Sequence, residues 1–276
     1  PNFIKIAPII DAIEDQKSKG NSINYRIVHT GQHYDKNMSG SFFEQLGIPR
    51  PDVNLESGGG SQAEQTSKIM IGYESLLENS PVDYCLVVGD VNSTMACSIV
   101  AKKMNIKVIH VEAGIRSGDL TMPEEINRMV TDSISDYFFT TSKTATNNLR
   151  HSGFPEERIF FVGNTMIDTL IKHRNFFKKP TIWDEFGLEV NNYIMMTLHR
   201  PANVDEEQIL KILINKIVRH SSKIPIIFPV HPRTAKQLKS LGPFAENFHT
   251  IDPLGYLEFN FLVEKSKAVI TDSGGI

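Results

Sequence analysis

Short runs of apolar residues alternate along this chain with longer stretches in which apolar and polar residues recur at helical spacing. The apolar runs are rich in valine, isoleucine, phenylalanine and tyrosine, and most are continuous rather than alternating. Continuous runs are typical of strands that are buried on both faces of a parallel sheet. The predicted strands are residues 23–29, 84–88, 107–111, 137–140, 159–162, 193–198, 225–230, 248–251 and 268–271.

The stretches between these runs predict helices. Residues 63–78 carry apolar side chains at helical spacing, and Ser61 is in position to cap the first turn. Further helices are predicted at residues 93–104, 125–135 and 205–219. Regular alternation of strands and helices predicts βαβ units, and therefore an α/β protein built on parallel sheets.

Polar residues follow nearly every predicted strand at the point where it ends. They include residues 30–33, 89–90, 112–114, 141–142, 163–164, 199–200, 231–232, 252–253 and 272–275. Ligands of open α/β sheets bind outside the carboxyl ends of the strands, so these residues mark one rim of each sheet. We predict two Rossmann-like, doubly wound domains, residues 1–166 and 167–276, whose rims face each other across a ligand-binding cleft. The second sheet looks incomplete.

Three carboxylates are candidates for chemistry, each beside a structural explanation. Asp90 lies in a Gly-Asp pair after a strand, where a plain turn and a functional carboxylate are equally supported. Glu112 follows a hydrophobic strand, where a carboxylate is costly unless it is used or paired with Arg116 or Arg128. Glu124 opens a predicted helix, where the helix dipole alone explains it.

Histidines and glycines at strand ends suggest phosphate binding. His199 is followed by Arg200, and adjacent cationic groups at a strand terminus suit a diphosphate. The glycines of residues 272–275 follow a buried strand, where backbone N–H groups can approach a phosphate. His110 lies within a strand and is interpreted as a hydrogen-bonded core histidine.

Composition excludes several classes of protein. The chain has 276 residues, a net charge of −3 and no dense cluster of lysine and arginine, which argues against a nucleic-acid-binding protein. No stretch is apolar and long enough to span a membrane.

Cys85 and Cys97 are interpreted as core residues, which favours a reducing compartment and a cytoplasmic location. No histidine pair has zinc spacing and no Gly-x-Gly-x-x-Gly motif is present, so no metal or nicotinamide cofactor is expected.

Taken together, the motifs resemble the non-hydrolysing UDP-N-acetylglucosamine 2-epimerases, and the resemblance covers the whole chain. They are Gln32-His33, Gly89-Asp90, His-Val-Glu-Ala-Gly-Ile-Arg at 110–116, Pro-Glu-Glu-Ile-Asn-Arg at 123–128, Gly-Asn-Thr at 163–165, His-Arg-Pro-Ala-Asn-Val-Asp at 199–205 and Thr-Asp-Ser-Gly-Gly at 271–275. The motifs at 110–116 and 123–128 together are highly specific for this family.

The resemblance implies a fold, a reaction and a set of residues. The fold is the two-domain arrangement shared with GT-B glycosyltransferases, and the reaction interconverts UDP-GlcNAc and UDP-ManNAc without a metal or redox cofactor. The implied catalytic residues are Asp90, Glu112, Glu124 and His199. The implied substrate-binding residues are Lys5, Arg128, His231, Phe259, Ser273 and Gly274. Gln32 and His33 match a regulatory substrate site, and the family suggests a homodimer.

The chain also departs from the family pattern. Ala202 replaces a common glutamate, and the strand, arginine and glutamate that usually surround Pro1 are absent or replaced. The resemblance therefore predicts a fragment that lacks its first strand and its C-terminal part, inactive or unstable by itself. A hydrolysing epimerase, a GT-B glycosyltransferase and a non-catalytic nucleotide-sugar sensor remain alternatives.

Overall fold

The computed structural model describes residues 2–31, 43–204, 206–230, 234, 235, 238 and 240–273. By its internal contacts the chain divides into two units, Pro1–Lys172 and His173–Ile276. The predicted domain boundary, between residues 166 and 167, lies a few residues earlier, inside a helix that the contacts assign mainly to the first unit.

The first unit consists of parallel strands connected by helices. In chain order its elements are α1 (Phe3–Ser18), β1 (Val28–His29), β2 (Val53–Asn54), α2 (Gln62–Asn79), β3 (Tyr84–Val88), α3 (Asn92–Lys103), β4 (Lys107–Val111), α4 (Pro123–Ile134), β5 (Tyr137–Thr140), α5 (Lys143–His151), β6 (Ile159–Phe161) and α6 (Thr165–His173). A 3₁₀ turn, Glu156–Arg158, precedes β6.

Its main sheet has the order β3-β4-β5-β6, with every neighbouring pair parallel. Residues that face α2 and α3 form one apolar core, in which Cys85, Val87 and Val108 contact helical residues such as Ile69 and Val100. Both cysteines are buried and free, as predicted. The carboxyl ends of all four strands consequently lie along one edge of this sheet.

The second unit is built on a second parallel sheet. Its elements are a 3₁₀ turn (Arg174–Phe176), α7 (Ile182–Glu185), β7 (Ile194–Thr197), α8 (Pro201–Val204), α9 (Glu207–His220), β8 (Ile226–Pro229), β9 (Phe248–Ile251), α10 (Tyr256–Lys265) and β10 (Ala268–Thr271).

Both faces of this second sheet are covered. Met196 and Phe228 pack against α9, whereas Met195 and Ile227 pack on the opposite side with Leu262 of α10. Burial on both faces explains why these strands are continuous apolar runs. The strand order is β10-β7-β8-β9, so the chain direction across the sheet reverses between β7 and β10. Such a reversal is where ligands of doubly wound sheets bind.

A local sequence signal predicts where α2 begins, whereas the extent of β1 differs from its prediction. Ser61 caps α2 through a reciprocal pair of hydrogen bonds with Glu64, which confirms the predicted N-cap. The predicted strand at residues 23–29 is shorter than expected and pairs only over Val28–His29. Its preceding N–H, on Ile27, donates to the Asp52 carboxylate instead of to a neighbouring strand. Strand β2, which has only two residues, has no detectable sequence signal.

A substitution at Gly114 tests the close packing at the end of β4. Gly114 has φ of +77°, and an added Cβ would lie 2.3 Å from the Ala145 carbonyl oxygen of α5. We expect Gly114→Ala to cost several kcal/mol, because left-handed strain of about 1 kcal/mol is added to a backbone clash. Gly118→Ala is the matched control, since Gly118 has φ of +73° but no heavy atom within 4 Å of the added Cβ. Urea unfolding of both variants measures the difference; equal losses would contradict the proposed clash.

Candidate active site

Two turns that carry candidate catalytic residues lie side by side in the first unit. Val88 and Val111 are paired at the carboxyl ends of β3 and β4, and the Gly89 N–H donates to the Val111 carbonyl at 3.0 Å. The turn after β3 carries Asp90, and the turn after β4 carries Glu112. The structure therefore places these two carboxylates on neighbouring strand ends.

Helix α4 supplies the partners of Asp90. Nη2 of Arg128 lies 2.5 Å from Oδ2 of Asp90, while Nη1 of the same guanidinium contacts Glu125 at 3.0 Å. The Asp90 carbonyl accepts a hydrogen bond from Nδ2 of Asn127 at 2.9 Å. Asp90 is thus fixed through both its backbone and its side chain, although 24% of that side chain remains exposed.

Glu112 is held differently, by a cation from α1. Oε2 of Glu112 lies 2.5 Å from Nζ of Lys5, so Glu112 is paired, but not with Arg116 or Arg128, which were the alternative partners considered from the sequence. The Lys5 ammonium also lies against the neighbouring turn, because a Cβ on Gly89 would come within 3.2 Å of it. A single lysine therefore forms an ion pair with one turn and lies close to the other.

The backbone of Glu112 is strained. Its φ is +73°, a left-handed conformation that non-glycine residues rarely adopt. The N–H groups of Glu112 and Ala113 both donate to the Phe139 carbonyl of β5, at 2.9 and 3.1 Å, and hold this conformation. Strain of this kind is often found at functional sites, where surrounding contacts enforce it.

Glu124 and Glu125 are adjacent on the first turn of α4 but have different environments. Glu124 is half-buried and forms no ion pair with any other residue that the structure describes. Glu125 is buried, and its carboxylate accepts hydrogen bonds from the N–H groups of Ser117 and Gly118 and from Arg128. Burial opposes ionisation of Glu125, but these three donors outweigh it and lower its pKa to about 2. Glu125 therefore has a structural role that orders the loop before α4.

A buried ionic network lies beneath both turns. His110, confirmed as a core histidine, is fully buried, and Nδ1 lies 2.6 Å from Oδ1 of Asp132. Nε2 lies 2.8 Å from the Gly89 carbonyl oxygen. Arg116 contacts the other Asp132 oxygen at 2.6 Å. Sequence reasoning missed Asp132, although Glu125, Arg128 and Asp132 recur at helical spacing on one face of α4.

In the second unit, Asp272 organises the residues that follow β7. Its carboxylate accepts hydrogen bonds from the backbone N–H groups of His199 and Arg200 and from Nδ2 of Asn203, at 2.9 to 3.1 Å. Burial by itself would raise the pKa of Asp272. The hydrogen bonds from Asn203, Arg200 and His199 lower this pKa by more than burial raises it, so the net shift is downward. These contacts join the loops on both sides of the reversal in strand order, and the His199 side chain is left exposed.

The remaining predicted residues of this unit vary in accessibility. Phe259 of α10 is half-buried and packs on the core beside Leu262. Ser273 is exposed, and its N–H donates to Oγ1 of Thr271 at 3.0 Å. The predicted residues Gln32, His33, His231 and Gly274 lie outside the described residues.

No metal centre is evident in the described ranges, where no three His, Cys, Asp or Glu side chains group as ligands. An open, largely apolar cavity of about 330 Å³ lies in the second unit, against Ile194 at the amino end of β7 and His220 of α9. It is at the end of β7 opposite His199 and contains none of the candidate residues. The polar strand ends are therefore the better candidate site.

Comparison with known proteins agrees with the motifs at these strand ends. A sequence profile of the UDP-N-acetylglucosamine 2-epimerase family matches residues 16–276. The chain belongs to this family. The UDP-N-acetylglucosamine 2-epimerase of Methanocaldococcus jannaschii is 41% identical over 100% of this chain and 77% of its own length. The UDP-2,3-diacetamido-2,3-dideoxy-D-glucuronate 2-epimerase of Pseudomonas aeruginosa is 38% identical over 100% of this chain and 76% of its own.

Solved structures of family members share the fold. The crystal structure of the Methanocaldococcus jannaschii UDP-GlcNAc 2-epimerase in complex with UDP-GlcNAc and UDP matches with a TM-score of 0.87 and 41% identity. The match covers 99% of this epimerase-family chain and 76% of that one. It confirms the predicted α/β class and GT-B-like, Rossmann-type fold. Across the described residues, no helix has the length and apolar character required to cross a membrane.

The low pKa of Glu125 predicts a pH-dependent contribution to stability. A carboxylate whose pKa falls from 4.5 to about 2 on folding stabilises the protein fully above pH 4.5, and this stabilisation is lost as the pH falls towards 2. Glu125→Gln should cost roughly 3 kcal/mol at neutral pH, and its deficit relative to the wild type should shrink below pH 4.5.

Chemical denaturation at a series of pH values measures this deficit. Glu124→Gln, one residue away on the same helical turn, is the control, and it should lose less stability at neutral pH because no described residue forms an ion pair with Glu124. A Glu125→Gln deficit that stays constant down to the acid-unfolding limit would contradict the assigned hydrogen bonds.

Proposed function

We propose that this protein interconverts UDP-GlcNAc and UDP-ManNAc by inverting the configuration at C2. The observation that carries the proposal is the position of Asp90 and Glu112 on adjacent strand ends, each bound to its own cation. The Methanocaldococcus jannaschii relative, at 41% identity, is named for the same reaction, and its crystal structure is a complex with UDP-GlcNAc and UDP.

The reaction requires carboxylates because the C2 proton of the sugar is not acidic. A positioned carboxylate removes this proton while the C1–O bond to UDP breaks, which leaves UDP and a glycal with a C1–C2 double bond. In the second step a proton is delivered to C2 from the opposite face and a diphosphate oxygen of UDP bonds to C1. No electrons are gained or lost overall, so the cycle requires no redox cofactor.

The family resemblance assigns the proton transfers to Asp90, Glu112 and Glu124. The Asp90 side chain is 24% exposed, the Glu112 side chain is 20% exposed, and Glu124 is half-buried. Each of the three carboxylates is therefore accessible to a ligand. Lys5 places an ammonium group beside Glu112 and the turn of Asp90, where it can attract an anionic group of the substrate. Arg128, through its contact with Asp90, orients that carboxylate.

The second unit is proposed to bind the nucleotide diphosphate. His199 has an exposed side chain on a backbone that Asp272 fixes, so it can donate a hydrogen bond or a proton to the departing UDP. The resemblance also assigns the diphosphate to Ser273, Gly274 and His231, and the uracil to Phe259. The proposed regulatory substrate site, at Gln32 and His33, rests on the resemblance alone.

Product analysis of the full-length protein with UDP-GlcNAc tests the reaction. Anion-exchange chromatography should show UDP-ManNAc and UDP-GlcNAc at equilibrium, with no net accumulation of UDP. Free UDP with ManNAc would instead indicate a hydrolysing epimerase, and UDP that forms only with an added acceptor would indicate a glycosyltransferase. Binding of UDP-GlcNAc without any product would indicate a sensor.

The Pseudomonas aeruginosa relative raises a second candidate substrate. Its named substrate carries a second acetamido group and a carboxylate, and it shares 38% identity with this chain. The same C2 chemistry applies to both sugars. Comparing kcat/KM for the two UDP-sugars decides between them, and we expect the higher value for UDP-GlcNAc.

Replacing Glu112 tests its role in proton transfer. Glu112→Gln keeps the shape of the side chain but cannot accept the C2 proton, so kcat should fall by about 10² to 10⁴. Glu156→Gln is the control, because Glu156 is an exposed surface partner of Arg150 in the same unit. Turnover by Glu112→Gln at the control's rate would refute the assignment.

We further propose that the enzyme acts in the cytoplasm as a homodimer, as the family resemblance suggests. The buried free thiols of Cys85 and Cys97 are consistent with a reducing compartment. Light scattering of the full-length protein measures the oligomeric state, and a monomer would contradict the dimer.

A further inference from the structure

We propose that His110 and Asp132 are positioning residues for the epimerisation. They form a buried imidazolium–carboxylate pair that fixes the positions of the turns bearing Asp90 and Glu112 relative to each other. Neither side chain can itself reach a ligand, since His110 is fully buried and Asp132 is only 1% exposed. The inference rests on the proposed function insofar as it takes Asp90 and Glu112 to be the reacting carboxylates.

The pair contacts both turns at their backbones. Nε2 of His110 lies 2.8 Å from the carbonyl oxygen of Gly89, the residue before Asp90. Oδ2 of Asp132 accepts the N–H of Gly114, two residues after Glu112, at 3.1 Å. The 2.6 Å contact between Nδ1 of His110 and Oδ1 of Asp132 completes a continuous hydrogen-bonded path from one turn to the other.

The hydrogen-bonding partners define the charge of this path. The Gly89 carbonyl can only accept, so Nε2 of His110 carries a proton. Oδ2 of Asp132 lies 2.6 Å from the Arg116 guanidinium and also accepts a hydrogen bond from the Gly114 N–H. Two donors on this one oxygen favour the ionised form of the carboxylate. An ionised carboxylate also only accepts, so Nδ1 of His110 carries a proton as well. The ring is therefore an imidazolium.

A purely structural reason for this pair is weak. Burying two charges costs several kcal/mol of desolvation, and well-packed apolar residues of similar volume commonly stabilise a fold as well or better. An apolar pair could fill the same space between β4 and α4, but it could not bind the Gly89 carbonyl or the Gly114 N–H. What the ionic pair adds is control over the backbone of the two turns.

This control is needed because the Glu112 turn is strained. Glu112 has φ of +73° and Gly114 φ of +77°, so the turn is strained at Glu112, its one non-glycine residue with a positive φ. The Phe139 carbonyl holds the start of the turn, through the N–H groups of Glu112 and Ala113, and Asp132 holds its end. Loss of the Asp132 charge should let the Glu112 carboxylate shift, and a displacement of about 1 Å can lower a rate by about 10²-fold.

Asp132→Asn in the full-length protein tests the positioning role. We expect kcat for conversion of UDP-GlcNAc to UDP-ManNAc to fall by about 10²-fold, while KM changes by no more than roughly threefold, because the variant still binds substrate but presents Glu112 poorly. Equal kcat values for Asp132→Asn and the wild type would overturn the proposal.

Asp136→Asn is a control in which a carboxylate with the same kinds of partner is replaced away from the candidate site. Asp136 also accepts a backbone N–H, from Val108 at 2.8 Å, and also binds a cation, Lys102 at 2.9 Å. It lies at the opposite end of β4, away from the candidate site. The Asp136 side chain is 23% exposed and that of Asp132 1%, so Asp136→Asn should lose less thermal stability, and kcat is compared per folded molecule. Only Asp132→Asn should lose kcat. A similar fall of kcat in both variants would show a merely structural effect and would also overturn the proposal.

A second measurement needs no variant and no turnover. Long-range ¹H–¹⁵N spectra of the wild-type protein, with His110 assigned through its backbone, should show both ring nitrogens protonated at neutral pH. A neutral ring would overturn the charged pair even if Asp132→Asn fails to fold. Absence of wild-type turnover would refute the proposed function. The spectrum would then still show whether His110 and Asp132 form a charged pair.

Discussion

The candidate site depends on the constraint that a carboxylate at the end of a buried strand must have a partner. Asp90 is bound to Arg128 and Glu112 to Lys5, so each carboxylate has a separate cation. Separate partners let two carboxylates occupy adjacent turns, because each has its own cation beside it. The cations come from different helices, α4 and α1, which makes the arrangement a property of the folded unit.

Helix α4 organises most of this arrangement. Over two turns it presents Glu125, Asn127, Arg128 and Asp132 to the strand ends, where they bind the loop before the helix, the Asp90 turn and the end of the Glu112 turn. Glu124, on the adjacent face, makes no such contact among the described residues and is left available. In the second unit a single carboxylate, Asp272, has a similar positioning role, because it accepts hydrogen bonds from the backbone N–H groups of His199 and Arg200.

Much of the fold could be predicted from the sequence because its signals are local. The strands Ile194–Thr197 and Ile226–Pro229 are almost entirely apolar, and their burial on both faces of the second sheet requires that pattern. In the first sheet Tyr84 and Leu86 of β3 are exposed, so the prediction that this strand is buried on both faces is wrong. Strand β1 is shorter than its apolar run because the Ile27 N–H donates to the Asp52 side chain. This N–H is therefore not available for pairing with a neighbouring strand. That contact joins residues far apart in sequence and leaves no local pattern.

The partners at the site were less predictable for the same reason. Arg116 and Arg128 were the alternative partners considered for Glu112, but Lys5 reaches it from α1, and the choice depends on which helix covers the end of β4. Asp132 was overlooked because a lone aspartate in an amphipathic helix usually faces solvent; its burial follows from the inward position of His110 on β4.

The central claim is that carboxylates of this protein remove and restore the proton at C2. The most direct test is proton NMR of UDP-GlcNAc incubated with the full-length protein in deuterated water. We predict that deuterium enters C2 of both UDP-GlcNAc and UDP-ManNAc, because the proton is lost to a side chain that exchanges with solvent. UDP-ManNAc that forms with its original hydrogen at C2, or no reaction at all, would contradict the account.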